Sequence, residues 1–314
     1  ALVGRLAQLQ IVEAEHYQEL AREQQFVTRP LSARRGEIRD RNGVLLANSV
    51  DAWSVFVDPM FVQDAQETAS ALAFALDMDT AKLGRRISRA AARERRFVWI
   101  KRLVEDGEAR AIRRLDLSGV FLRREFRRVY PQGSTAAHII GFTDIDGRGL
   151  AGIELQLDRA LTGVPGSERL PCDGRRRQIR IPGLVNRKAP RDGHDVHLTL
   201  DLNVQIIAEQ ELEAAMERHE PEAGVAIVLD PRDGSVLGMA CRPAFSLYDP
   251  ARMPVANQRN MAVTDAYEFG SVMKPIIVAA ALDTGIVQPD TEIFGENGAR
   301  HGGGAGRIVR DAGS

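Results

Sequence analysis

Cysteine, lysine and long apolar runs are all scarce in this chain of 314 residues. The two cysteines, Cys172 and Cys241, lie far apart with no Cys-x-x-Cys spacing, which excludes a disulfide framework; a single bridge between them is unsupported. No run of eighteen apolar residues occurs, so no transmembrane helix is expected within the sequence. A net charge of −1 excludes a global attraction to nucleic acid or to acidic membranes. With only four lysines (Lys82, Lys101, Lys188 and Lys274), arginine supplies the other 38 of the 42 basic residues. That scarcity makes one pattern informative. Ser271 and Lys274 form the sole Ser-x-x-Lys, inside Tyr267-Glu-Phe-Gly-Ser-Val-Met-Lys-Pro275. Composition would yield about 0.15 such pairs by chance.

A serine hydroxyl becomes a useful nucleophile when a neighbouring base takes its proton, and three residues along a helix is nearly one turn. Pro275 cannot donate to the carbonyl of Ser271, so a helix is expected to start at or just before Ser271. Ser271 would then sit at the positive end of the helix dipole, with backbone N–H groups near a developing oxyanion. Gly270 allows a sharp turn into that helix. The same serine would also serve as a plain helix cap. Candidate catalytic residues are therefore Ser271 and Lys274, with no cofactor and no metal expected.

Length and an ordinary globular composition (44% apolar, 27% charged) fit two domains. Ala1 to Gln24 has apolar residues near one face and predicts a helix. Asp40-Arg-Asn-Gly43 predicts a turn, and Ala52 to Val57 a strand. Asp64-Ala-Gln-Glu67 predicts a capped helix to about Met78, followed by a polar helix to Arg96. A strand at Phe97–Ile100, a helix at Glu105–Leu115 and an extended stretch at Gly119–Val129 come next, then a short helix at Ile153–Leu161. Asp173-Gly174 predicts a hairpin turn between Leu170–Cys172 and Gln178–Ile181.

Asn186 to Gly193 is polar, contains Pro and Gly, and is the expected domain boundary. Beyond it, a strand at Val196–Leu200 leads to a helix capped by Asp201 and running to about His219. Val225–Leu229 and Ser235–Ala240, joined by Pro231-Arg-Asp-Gly234, predict a buried hairpin. The Ser271 helix is expected to pack Ile276 to Leu282 inward and to stop at Gly285.

Three other signals point to ordinary structure. His194 and His197 lack a third ligand at metal spacing, so a strand edge is the better reading. Gly302 to Arg307 lacks the Lys-Ser/Thr of a phosphate loop and reads as a flexible loop. Arg123-Arg124, Arg127-Arg128 and Arg175 to Arg177, with acids interleaved, read as a solvated face and give no nucleic-acid site.

Several of these segments together resemble the class B penicillin-binding proteins. Arg35-Gly-Glu-Ile-Arg-Asp-Arg-Asn-Gly-Val-Leu-Leu-Ala47 resembles their opening signature. Arg128-Val-Tyr-Pro131, Ala137-His-Ile-Ile-Gly-Phe142 and Gly152-Ile-Glu154 resemble later motifs of the same non-catalytic domain. His197 to Gln205 resembles the entry to the transpeptidase domain, and Arg259 to Pro275 its active-serine segment; Phe142 to Gly152 leans toward the division-specific branch. The resemblance implies an α+β chain with a juxtamembrane helix at 1–25 and a mixed α/β dimerisation (pedestal) domain at 26–190. The first part of a β-lactamase-like transpeptidase domain would follow at 194–314.

By the same resemblance, Ser271 would be the acylated nucleophile and Lys274 its base in a D,D-transpeptidase of septal cell-wall synthesis. Implied partners are peptidoglycan stem peptides, β-lactams and membrane proteins of the division or elongation machinery. The implied location is the cytoplasmic membrane, anchored by a single pass upstream of residue 1, with the domains on the periplasmic side. Phe269 stands where the family usually has proline. Ser-x-Asn and Lys-Ser/Thr-Gly do not occur in the 314 residues; both are expected after Ser314, which would leave this chain half an active site and no activity. Two further readings are a non-catalytic division scaffold, or a β-lactam sensor, with a vestigial serine, and a β-lactamase, which would not need so large a first domain.

Overall fold

The computed structural model describes residue 13 and residues 26–172, 185–252, 254–293, 299–301 and 308–310. Apart from residue 13, the helix expected at 1–25 lies outside them, as do the turn at Asp173-Gly174 and the loop at Gly302 to Arg307. Contacts divide the chain into two units, residues 1–264 and 265–314.

In the first unit β1 (Phe26–Leu31) pairs elsewhere, while β2 (Ile38–Arg39) opens the main sheet. The turn after β2 forms because the Asp40 carboxylate accepts from the N–H groups of Asn42 and Val44, at 2.8 and 2.7 Å. Gly43 takes a φ of 82°, which a side chain would resist. β3 (Leu45–Val57) runs for 13 residues, well beyond the six the alternation suggested, because β5 pairs with it from Asn48 onward although Asn48, Ser49 and Asp51 interrupt the apolar pattern. Helix α1 (Ala65–Leu76) starts where Asp64 accepts from Gln66 and Glu67 N–H. Helix α2 (Thr80–Ala91) is capped by Asp79 and ends before Arg96. Next come β4 (Val98–Val104), α3 (Asp106–Leu115) with a Glu105/Glu108 capping box, and β5 (Val120–Val129).

Short helices α4 (Ala137–Ile140), α5 (Gly152–Gln156) and α6 (Asp158–Leu161) follow. Strands β6 (Gly166–Pro171) and β7 (Asn186–Lys188) complete a three-stranded antiparallel sheet in the order β1-β6-β7. The strand expected at Val196–Leu200 is only β8 (Val196–His197), and it pairs in parallel with β2 in the main sheet. Helix α7 (Leu202–His219) is capped by Asp201 and lies against the hairpin of β9 (Gly224–Leu229) and β10 (Val236–Arg242). Helix α8 (Met261–Thr264) closes the unit.

Alternation along β3 assigns its two faces. Val55 and Val57 are fully buried against α1, α2 and α3 through Leu72, Leu76, Leu83, Ile87 and Ile112. Ser54 and Phe56 point the other way. A second core joins Ile38, Leu46 and Ile140 to Leu200, Phe245 and Leu247, residues well past 190. A piece ending at residue 190 would leave Ile38 and Leu46 without those neighbours.

Two further expectations are corrected. The β9–β10 hairpin is not buried on both faces, since Ile227 and Leu229 are about half exposed; α7 covers one face. Arg128 is not part of a solvated face but is buried, because the carboxylate of Glu154 sits beside it. Cys172 and Cys241 are not joined by a disulfide. Among the described residues no helix is long and apolar enough to cross a membrane.

Candidate active site

Residues 265–314 carry Ser271 and Lys274. Gly270 adopts a φ of 53°, the left-handed conformation in which glycine avoids a Cβ clash, and turns the chain into helical backbone. A 3-10 turn spans Gly270–Met273 and passes directly into helix α9 (Lys274–Asp283). Pro275 has no N–H for the Ser271 carbonyl, so the N–H of Lys274 donates to it instead, closing an i to i+3 bond. In a 3-10 turn residues three apart eclipse, so Ser271 and Lys274 project from one face. The α-helix proper therefore begins one turn later than Ser271, with the serine in the tighter turn that leads into it.

Both side chains are exposed. Helix α9 ends where Gly285, at φ 71°, donates to Leu282 and Ile286 donates to Ala281, as its glycine stop predicted. The expected inward packing is not observed. Ile276, Ile277 and Val278 are more than half exposed, because within residues 265–314 the other described strands are the short hairpin β11 (Ala299–His301) and β12 (Ile308–Arg310). Phe269 is likewise exposed, with φ −72°.

The first unit contains a polar cluster that no single segment announced. Arg35, Arg128 and Glu154, from three separate stretches of sequence, meet in its interior. The fully buried Glu154 carboxylate accepts from Arg35 Nε and Arg128 Nε, each at 2.7 Å. Arg35 also donates to Asp158 at 2.7 Å and to the Glu154 carbonyl, and Arg128 donates to the Gly36 carbonyl and Ser49 Oγ. Burial, and then the Glu154 charge, push the Tyr130 phenol far above its usual pKa, so it stays neutral and accepts from Thr143 N–H at 3.1 Å. Asp158 is pushed up by burial, yet the Gly149 N–H and Arg35 together hold its carboxyl below the usual range. This arrangement ties Arg35 and Arg128 to the 154–158 stretch. Each charge is answered by an opposite one, which is how buried ions persist.

His197 lies in β8, and His194 donates its backbone N–H to the Ala160 carbonyl. Among the described residues no group of three His, Cys, Asp or Glu side chains could hold a metal ion.

Residues 30–198 match the family model described as "Penicillin-binding Protein dimerisation domain", and residues 224–311 match "Penicillin binding protein transpeptidase domain". The chain is 36% identical over 286 residues to a protein of Neisseria meningitidis named "Probable peptidoglycan D,D-transpeptidase PenA". It is 35% identical over 295 residues to the Bacillus subtilis "Stage V sporulation protein D" and 34% identical over 295 residues to the Escherichia coli "Peptidoglycan D,D-transpeptidase FtsI". These matches cover 90%, 94% and 92% of this chain but 49%, 45% and 49% of the relatives, so the chain spans about half their length. A solved peptidoglycan synthetase from Bifidobacterium adolescentis superposes with a TM-score of 0.60 at 28% identity, over 85% of this chain and 53% of the other. Penicillin Binding Protein 2X from Streptococcus thermophilus shares the fold, with a TM-score of 0.59 at 20% identity over 91% of this chain and 45% of the other.

Proposed function

Starting from the fact that this chain belongs to the class B penicillin-binding proteins, with a dimerisation domain ahead of a transpeptidase domain, we propose that its function is that of a peptidoglycan D,D-transpeptidase of cell division. In this reading residues 26–190 form the pedestal and residues 194–314 carry the first part of the catalytic domain. The protein acts outside the cytoplasmic membrane, where the cell wall is built, and works with membrane proteins of the division machinery. The observation that carries the reading is the 3-10 turn, which sets Ser271 and Lys274 on one exposed face just after the bend at Gly270.

The chemistry is acyl transfer. Ser271 Oγ adds to the carbonyl carbon of the penultimate D-alanine of a stem peptide as its proton passes to the Lys274 amine. The peptide C–N bond breaks, and the terminal D-alanine leaves with that proton on its nitrogen. An amine from a neighbouring strand then attacks the serine ester, forming the cross-link and returning the hydroxyl. A β-lactam enters through the same first step, because its ring amide presents an equivalent carbonyl. The base must be a neutral amine when it acts.

Fluorescent penicillin labelling of the full-length protein tests this. Ser271→Ala is expected to abolish the covalent band, and Lys274→Ala to slow its formation by at least ~10²-fold. Undiminished labelling of Ser271→Ala would refute the assignment. A parent protein that binds division partners but never labels would favour a scaffold.

A further inference from the structure

A recess of about 290 Å³ lies in the first domain, entirely among residues 32–165 and away from the serine segment in sequence. Four arginines line it: Arg35, Arg102, Arg123 and Arg128. So do two carboxylates, Glu125 and Asp146. Arg102 engages both, at 2.9 Å to Glu125 and 2.7 Å to Asp146. Behind the wall, Glu154 and Asp158 are taken by Arg35 and Arg128. Every one of these four acids thus has an arginine, and Arg123 is left over.

Two donors remain unanswered. Arg128 Nη2 and Arg123 Nε are buried atoms without a hydrogen-bond partner. The Arg128 side chain is only 5% exposed and is fixed by its bonds to Glu154, Gly36 and Ser49. Its second amino group therefore cannot swing out to solvent. Arg123 makes no ion pair among the described residues; its guanidinium sits 5.7 Å from the centre of the Trp99 ring. Buried polar groups in folded proteins nearly always have partners, and a planar guanidinium is shaped to receive an oxyanion.

The recess shares Ser32, Arg123 and Phe126 with a larger cleft of about 890 Å³. Along the wall of that cleft Phe97, Phe56 and Phe121 stack in a row, with ring centres 4.7 and 5.3 Å apart. The row forms because Phe56 and Phe121 are directly opposed in the β3–β5 register and Phe97 leads into the neighbouring strand. A ligand held by its oxyanion in the recess would thus have apolar surface beside it for the rest of its body.

We infer that this recess is an oxyanion-binding subsite of the dimerisation domain, in which Arg123 and Arg128 receive the phosphate or carboxylate group of a small molecule. It is independent of the acyl-transfer reading, and either can fail alone.

The test is titration of the full chain with inorganic phosphate and, separately, with acetate, followed by calorimetry and by ³¹P line width. Saturable one-to-one binding of one of them is expected, and the tighter of the two assigns the head-group. Arg123→Gln removes the unpaired charge without touching any ion pair. It should weaken binding roughly tenfold or more while leaving the melting temperature unchanged, as expected for loss of a charge-assisted hydrogen bond. Arg128→Lys keeps the charge but loses the fork and should weaken binding similarly; if it does not fold, Arg123→Gln still decides. Arg124→Gln, on the same strand but exposed and paired with Asp51, should bind like the parent. Absence of saturable binding by either anion, or equal binding in Arg123→Gln, would overturn the inference and leave the recess to water alone.

Discussion

Glu154→Gln keeps the shape of the side chain and removes its charge. The carboxylate is fully buried and holds two guanidiniums at 2.7 Å each. After the change, Arg128 has no acidic partner, Arg35 keeps only Asp158, and the new amide NH₂ must face one of two cations. Removing one partner of a buried ion pair costs about 3–5 kcal/mol, because the remaining charge stays out of water. For 150–250 residues each kcal/mol moves the midpoint by about 2–4 °C, so a fall of roughly 6–20 °C is expected. Asp51→Asn is the comparison. Its pair with Arg124 has similar lengths, 2.8 to 3.2 Å, but the two side chains are 49% and 59% exposed. Surface pairs of this kind contribute about 0–1 kcal/mol. Thermal unfolding followed by circular dichroism reads both variants. If Glu154→Gln lost no more than Asp51→Asn, burial would not be what makes the cluster matter, and the reasoning would fail.

Phe269→Pro should leave stability within about 1 kcal/mol of the parent and acylation equal or faster, since φ is already −72° and the ring is exposed; a clear drop in melting midpoint would refute it. His138 gives a pH dependence. Burial lowers its pKa, outweighing the opposing bond to the Asn257 carbonyl, so below about pH 6.5 the unfolded chain takes up a proton more readily than the folded one. Stability should therefore be full above that pH and decline as pH falls through it, and His138→Gln should flatten the slope between pH 7 and 5 in urea titrations. Gln205→Leu should cost about 1–3 kcal/mol, because the buried amide bonds both the N–H and the carbonyl of Met239 at 2.7 and 3.0 Å, and loss of either leaves an unpaired group; an unchanged urea midpoint would count against it.

Local chemistry was readable in the sequence where a short segment decides the outcome. Asp40 with Gly43, Asp64 and Asp201 each meet partners within four residues, so their turns and caps follow from composition alone. The Ser271–Lys274 spacing belongs to the same class. What could not be read depends on distant residues. Glu154 meets Arg35 across 119 positions, and nothing local distinguishes Arg128 from the exposed Arg127 beside it. The first half of β3 was missed because Asn48, Ser49 and Asp51 break the apolar alternation, and only pairing with β5 makes it a strand. The exposure of Ile276 and Ile277 was missed for the opposite reason: an apolar helix reads as buried whether or not anything covers it.

The parallel pairing of β2 with β8 bears on how the protein is made. Ile38 must find Val196, and Ile38's core also needs Phe245 and Leu247, some 200 positions further along. Ribosomes add about 5–20 residues per second, so β2 waits on the order of ten seconds or more with one edge unpaired. Contacts this distant in sequence form slowly, and an open strand edge invites pairing with another chain. The core that β3, β4 and β5 share with the three helices draws on residues no later than Leu122 and can close during that interval. Synthesis and closure therefore run in different orders: β2 is made before β3, β4 and β5 yet is sealed only after them.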